Sequence, residues 1–200
     1  TFQPNFESAN VEVFKKLYLN GAVYRGRKPI HWCSHCHTAL AEAEIEYADE
    51  TSPSIYVNFK LNNIPTAFAE AGVDLERAYV LIWTTTPWTL PSNTAVSLGP
   101  DIDYCFVEAD GKFTKDMVEA VAKVAGWESY RIVEANGEPV TMKGDQFGDI
   151  TYICPVLHEN TGRIIWGEHV TLDAGTGAVH TAPGHGVDDY MVGMKFGVDT

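Results

Sequence analysis

Apolar and polar positions alternate cleanly over Ile55–Lys60. Ile55, Val57 and Phe59 fall on one face and Tyr56, Asn58 and Lys60 on the other, the period-two signature of a half-buried strand. Tyr79–Trp83 is apolar throughout and reads as a strand buried on both faces. Thr94–Leu98, Tyr104–Val107, Arg131–Glu134, Ile150–Val156, Arg163–Trp166, His169–Leu172 and Ala178–Thr181 read as further strands. Helical spacing groups Val11, Phe14 and Leu17/Tyr18 opposite Lys15 and Lys16. It predicts a helix over Val11–Leu19, capped by Asn10 and stopped at Asn20-Gly21. Pro65–Ala71 closes at Gly72. Thr114–Ala125 is capped by Thr114 and stopped by Gly126, and Asp188–Phe196 ends at Gly197; all three read as helices. Asp110-Gly111 and Asn136-Gly137 are turn signals. Strands mostly follow strands. The pattern therefore predicts an α+β fold with a mainly antiparallel sheet or barrel and short helices around it, not alternating βαβ units.

The stretch Trp83–Asn93 breaks this rhythm. Three hydroxyls, Thr84, Thr85 and Thr86, follow the apolar run, and Pro87 and Pro91 bracket Trp88, Thr89 and Leu90. Proline removes an amide donor and fixes φ, so a central strand cannot continue here. The chain must leave the sheet in a stiff, irregular shape at a strand end, where binding groups are often placed. The plainer alternative is a turn whose threonines merely suit a strand. A second notable stretch, Gly175–Tyr190, runs from Gly175 and Gly177 through His180 to a helix opened by Asp188 and Asp189. One aspartate can cap that helix and leave the other to point elsewhere; simple capping and solvation would also account for both.

Charge narrows the possible partners. With 14 basic and 27 acidic residues in 200, the formal net charge is −13. That surface grips a nucleic-acid backbone poorly, because such affinity comes from cations displacing counterions. A nucleic-acid substrate would have to be delivered by something else. The 45% hydrophobic content supports a real core, and no run approaches the roughly 18 apolar residues of a membrane span. A cytoplasmic protein without membrane association is expected.

Of the four cysteines, Cys105 and Cys154 lie in apolar runs and read as buried small hydrophobes. Cys33-Ser-His-Cys36 has the spacing of half a zinc knuckle. No second Cys-x-x-Cys accompanies it, although His31, His35 and His37 are near in sequence. No bound metal and no cofactor is therefore expected. Neither a Gly-x-Ser-x-Gly elbow nor a His-Glu-x-x-His motif is present. An enzyme of this sequence would work by placing a substrate and a water.

Taken together, Thr84–Asn93, Gly175–His180, Ala182-Pro183, Gly186 and Asp188-Asp189-Tyr190 resemble the two signatures of the editing domain of the isoleucyl-tRNA synthetase family, bacterial type. Trp32-Cys33, Cys36, Ala39–Glu46 and Thr51–Tyr56 are similar to the start of that insertion. Leucyl and valyl relatives carry Thr-Thr-Arg-Pro where this chain has Thr84–Pro87, and they lack a histidine at the position of His180. The resemblance implies a β-barrel core, with residues 1–200 forming a single editing domain of a larger class I synthetase: 1–50 lead in and 51–200 make the barrel. It implies hydrolysis of valine misattached to the isoleucine tRNA, and of valyl-adenylate as a further substrate. The tRNA acceptor end would be delivered by the rest of the enzyme.

Position by position, the resemblance implies that Asp189 holds the α-ammonium of the amino acid. Thr85 and Thr86 act on the ester and its water, with Thr84, Trp83 and Gly177 beside them. Asn93 would lie near the terminal adenosine, and His180 would limit side-chain size. A neighbouring ribose hydroxyl, rather than a threonine, would take the water's proton. The family's zinc site pairs cysteines of the Cys33/Cys36 type with a second pair beyond the insertion, so zinc here would be partial. The signatures His-x-Gly-His and Lys-Met-Ser-Lys-Ser, needed to activate amino acids, do not occur. Two rival readings remain: an editing domain of another amino-acid specificity, or a zinc-ribbon module binding RNA through Lys15, Lys16, Arg25, Arg27 and Lys28.

Overall fold

A computed structural model describes residues 2–109, 112–115, 129–173 and 175–200. Helix α1 (Pro4–Leu19) starts earlier than the apolar spacing predicts. Pro4 occupies its first turn, where a missing amide costs nothing, so Asn10 is an interior residue and not the cap. No residue of α1 is buried. A two-stranded hairpin follows, β1 (Trp32–Cys33) with β2 (Thr38–Ala39).

The main sheet has six strands: β3 (Ile55–Leu61), β4 (Tyr79–Thr84), β5 (Ala95–Leu98), β12 (Thr151–Ile153), β13 (Thr161–Trp166) and β14 (Ala178–Thr181). Their order is β14-β5-β13-β12-β3-β4. All pairs are antiparallel except β13 with β5. The two end strands, β14 and β4, come alongside each other, so the sheet rolls into a nearly closed barrel. This is the mainly antiparallel architecture that the strand-after-strand pattern predicts.

A second sheet centres on β6 (Asp103–Ala109). It pairs with β7 (Lys112–Lys115), β8 (Tyr130–Ile132) and β11 (Thr141–Lys143), all antiparallel. A small hairpin joins β9 (Glu134–Ala135) to β10 (Glu138–Pro139) across Asn136-Gly137. Both turn residues take positive φ, 55° and 85°, as that dipeptide favours. Helix α2 (Thr66–Glu70) drops Phe68 into the core, against Phe106 of β6 at a ring distance of 4.8 Å. Phe59, Ile82, Leu98, Phe106, Tyr152 and Ile164 are all at most 3% exposed and join the two sheets in one apolar cluster. Burial of such side chains contributes roughly 1.5–3 kcal/mol each. No helix among the described residues is long and apolar enough to cross a membrane.

Four expectations are corrected. His169–Leu172 is a turn and loop rather than a strand, and β5 pairs with β13 and β14. Ile150–Val156 forms a strand only over Thr151–Ile153. Thr114 and Lys115 belong to β7 instead of opening a helix; the rest of that expected helix, and the Asp110-Gly111 turn, lie outside the described residues. Finally, helix α3 (Val187–Phe196) is capped by Gly186, and neither Asp188 nor Asp189 caps it with a side chain. Gly197 ends it at φ 61°, in the left-handed turn expected there.

Candidate functional site

A cavity of about 560 Å³ opens beside the strands β4 and β14. Its walls come from the end of β4, the bend after it, the Gly175–Gly177 turn, β14 and the start of α3. Trp83, Thr84, Thr85, Thr86, Gly177, His180 and Asp189, seven of the residues singled out in the sequence, all line it.

The bend is built as its prolines require. β4 stops at Thr84, and Pro87–Ser92 turns as a 3-10 helix with Pro87 in its first turn. Thr84 Oγ1 accepts the Thr86 amide at 3.0 Å and lies 3.2 Å from Thr86 Oγ1, so the bend is tied by its own hydroxyls. Thr84 is buried, whereas Thr85 and Thr86 are exposed toward the opening. Ser52 donates to the Thr85 carbonyl at 3.1 Å and steadies the tip from the other side.

Opposite the bend, Gly175 and Gly177 take φ of 79° and 70°, conformations that suit glycine. Tyr104 accepts the Gly99 amide at 2.7 Å and donates to the Gly177 carbonyl at 2.6 Å, pinning this wall to the second sheet. A Cβ on Gly175 would stand 3.1 Å from the Trp83 ring, so the glycine lets that ring line the cavity.

Asp189 sits in the first turn of α3, and its Oδ2 accepts the Ala182 amide at 2.8 Å. Burial pushes its carboxyl above the usual range, with Asp188 adding to the rise; the Ala182 amide, His169 and His185 pull the other way. No lysine or arginine is among the lining residues, where Asp188 and Asp189 stand with His169, His180 and His185. A cationic group there would bring the carboxyl back down.

His180, on β14, is 7% exposed. Its Nε2 lies 2.9 Å from Thr89 Oγ1 and its Nδ1 2.8 Å from Asn93 Nδ2. Burial, and then the nearby His185, lower its pKa from 6.5 to about 4. The lowered pKa keeps the ring neutral at pH 7, and both nitrogens are engaged by protein groups. Asn93 is 5% exposed, is not among the residues lining this cavity, and bonds His180 from behind.

Sequence reasoning missed Thr89, His169 and His185 as cavity residues. Thr89 could have been caught by its place between the two prolines. His169 could not, because it comes from a loop that periodicity reads as strand; its Nε2 is buried with no hydrogen-bond partner. His185 lies 3.0 Å from Ser92 Oγ across the opening. Among the described residues no three of His, Cys, Asp and Glu form a group that could hold a metal ion. Cys33 Sγ accepts the Cys36 amide at 3.3 Å, which lowers its pKa, and the pair supplies two of the four ligands a structural zinc takes. Neither cysteine lines the cavity.

The chain is similar along its whole length to two isoleucine–tRNA ligases. That of Caldanaerobacter subterraneus subsp. tengcongensis is 43% identical over 100% of this chain and 21% of its own length. That of Syntrophomonas wolfei subsp. wolfei is 44% identical over 100% of this chain and 20% of its own length. The chain thus spans about a fifth of the relatives it matches. In fold it resembles the crystal structure described as GlLeuRS-CP1, with a TM-score of 0.55 at 20% identity over 72% of this chain and 65% of that one. The editing domain of the P. knowlesi cytosolic leucyl-tRNA synthetase aligns with a TM-score of 0.53 at 12% identity, covering 72% and 63% of the two chains. The architecture is that of an α+β editing domain. Residues 1–170 match the family described as tRNA synthetases class I (I, L, M and V), and the chain belongs to that family.

Proposed function

We propose that the cavity hydrolyses valine wrongly esterified to the isoleucine tRNA, with valyl-adenylate as a second substrate. The observation that carries this is the convergence of the Thr84–Thr86 bend, His180 and Asp189 on one cavity that holds carboxylates and no cation. A pocket that admits isoleucine rejects valine by only roughly 1–3 kcal/mol, a limit for which the isoleucine enzyme is itself the standard example. A second, smaller pocket that destroys the valyl product answers that need.

In this reading the valyl α-ammonium pairs with Asp189, whose Oδ2 is held by Ala182 while Oδ1 is left for the substrate. The hydroxyls of Thr85 and Thr86 hold the ester and a water in line, which contributes through orientation. The water oxygen attacks the ester carbonyl carbon, the bond to the ribose oxygen breaks, and valine leaves as a carboxylate. No side chain at the bend is basic enough to take the proton, and His180 has both nitrogens engaged. The water's proton therefore passes through the neighbouring ribose hydroxyl to the ribose oxygen that leaves, which becomes a hydroxyl, and the acid proton of valine goes to solvent. His180 closes the space that a larger side chain would need. The acceptor end reaches this acidic chain from the rest of a longer synthetase in the cytoplasm, and zinc plays no part in the step.

Valyl- and isoleucyl-tRNA, each offered to the 200-residue chain, test the proposal. Faster release of valine than of isoleucine is the expected result, and equal or absent release of both would reject it.

A further inference from the structure

The polar groups behind His180 have only one consistent set of hydrogen positions. Asn93 Nδ2 bonds the Ala95 carbonyl at 2.9 Å, and a carbonyl only accepts, so this atom is the amide nitrogen. The same nitrogen donates to His180 Nδ1 at 2.8 Å, which leaves Nδ1 without a proton. The ring proton is then on Nε2 and goes to Thr89 Oγ1 at 2.9 Å. Thr89 in turn donates to the Thr86 carbonyl at 2.8 Å, back at the threonine bend. At the far end the remaining Asn93 oxygen accepts the Tyr152 hydroxyl at 2.7 Å. Cys154 Sγ, 3.6 Å from that oxygen, is a weak second donor.

Tyr152 is fully buried and is not among the cavity residues. Burial first, and Cys154 second, push its phenol well above the ordinary value, so it stays a donor. Its ring is seated by construction. Tyr152 pairs with Gly162 across β12 and β13, and a Cβ on that glycine would lie 2.3 Å from the phenol oxygen. Phe59 packs edge-on against the ring at 5.0 Å.

We propose that Tyr152 is a positioning residue for the cavity's specificity: by holding Asn93 Oδ1, while the Ala95 carbonyl holds Asn93 Nδ2, it keeps the amide set for the Nε2–H tautomer of His180, and with both ring nitrogens bonded to protein an occupant meets ring carbon. A nitrogen turned to the cavity would offer a polar foothold. A carbon edge excludes by size alone. The consequence for substrate choice rests on the proofreading reading above; the tautomer lock does not.

The test is Tyr152→Phe in the 200-residue chain, read by ¹⁵N NMR of the histidine rings. In the native chain His180 shows one tautomer, with a slowly exchanging proton on Nε2. In Tyr152→Phe the Asn93 oxygen loses its strong donor, the Ala95 carbonyl is left as the main group orienting the amide, and a minor second population with the proton on Nδ1 appears. The preference for the valyl over the isoleucyl ester then falls by about tenfold, within the range one methylene provides. Unchanged ring nitrogen signals in Tyr152→Phe would overturn the proposal even if proofreading is intact. Should that variant fail to fold, Gly162→Ala, whose Cβ displaces the Tyr152 phenol, is read in the same way, and a single unchanged Nε2–H tautomer there would overturn the proposal. A lock seen by NMR in a chain that cleaves neither ester would support the positioning role while rejecting the proofreading reading.

Discussion

The Ala182 amide donates to Asp189 Oδ2 at 2.8 Å, and this bond spans the loop between β14 and α3. It holds a partly buried carboxylate against the cavity in place of the helix cap its position suggests. The same loop carries His185, so the acidic turn and the opening of the cavity are one unit.

Asp189→Asn keeps an acceptor for Ala182 and removes the charge. Release of valine from valyl-tRNA is expected to fall by about 10- to 100-fold, the worth of one charged hydrogen bond. The thermal midpoint should stay near that of the native chain. A variant that turns over at the native rate would show that Asp189 does not hold the ammonium.

Replacing His180 by alanine removes the wall at the back of the cavity. Isoleucyl-tRNA should be hydrolysed about 10- to 100-fold faster than by the native chain. Thr89 and Asn93 lose a partner in the same variant, at about 1–3 kcal/mol of stability for each buried group left unpaired. An unchanged preference between the two esters would remove His180 from the size gate.

Stability should depend on pH through His180. The unfolded histidine takes a proton near 6.5, while the folded one resists to about 4. Between those values the unfolded state binds more protons, so stability rises with pH, and it is lost as pH falls through this window. At 1.36 kcal/mol per pH unit the full effect is on the order of 3 kcal/mol. Asp189 contributes the opposite slope, because its raised carboxyl holds a proton longer in the folded state. Denaturant titrations from pH 4 to 7 on the native chain and on His180→Gln isolate the histidine part by difference. A pH-independent difference would contradict the buried, neutral ring.

Gly162→Ala tests the seat of Tyr152. The new Cβ would stand 2.3 Å from the phenol ring and its oxygen, so the ring must move. A loss of about 1–3 kcal/mol, typical of overpacking, is expected by chemical denaturation. The loss should come with weakened discrimination between the two esters. Discrimination that survives such a loss would show that the ring's exact place does not matter to the cavity.

Chelation should leave ester hydrolysis unchanged. Cys33 and Cys36 are on the β1–β2 hairpin, outside the cavity lining. A fall in activity on treatment with a chelator would tie the cysteine hairpin to the site.

Local chemistry made part of this protein readable residue by residue. The alternation at Ile55–Lys60 and the apolar run at Tyr79–Trp83 mark β3 and β4, because a strand's side chains alternate and a doubly buried strand has no polar face. Pro87 and Pro91 forbid a strand, and the chain turns there as a 3-10 helix. Asn136-Gly137 and Gly197 adopt the positive φ their residue types permit. Misreadings fall where local and distant demands diverge. His169–Leu172 has a strand's composition but runs as a turn and loop. Asp189 has a cap's position, yet its carboxylate is claimed by Ala182.

From its residue pattern alone this protein was determined to be a mainly antiparallel α+β fold with two irregular, glycine-, threonine- and aspartate-bearing stretches, since propensity, periodicity and turn chemistry act over a few neighbouring residues. Only the tertiary structure decided that these stretches share one cavity, that His169 joins them, that Asn93 stands behind His180, and that Tyr152 holds it there. Those facts depend on which strands pair and on β14 closing against β4, and such long-range registers arise from the packing of the whole barrel.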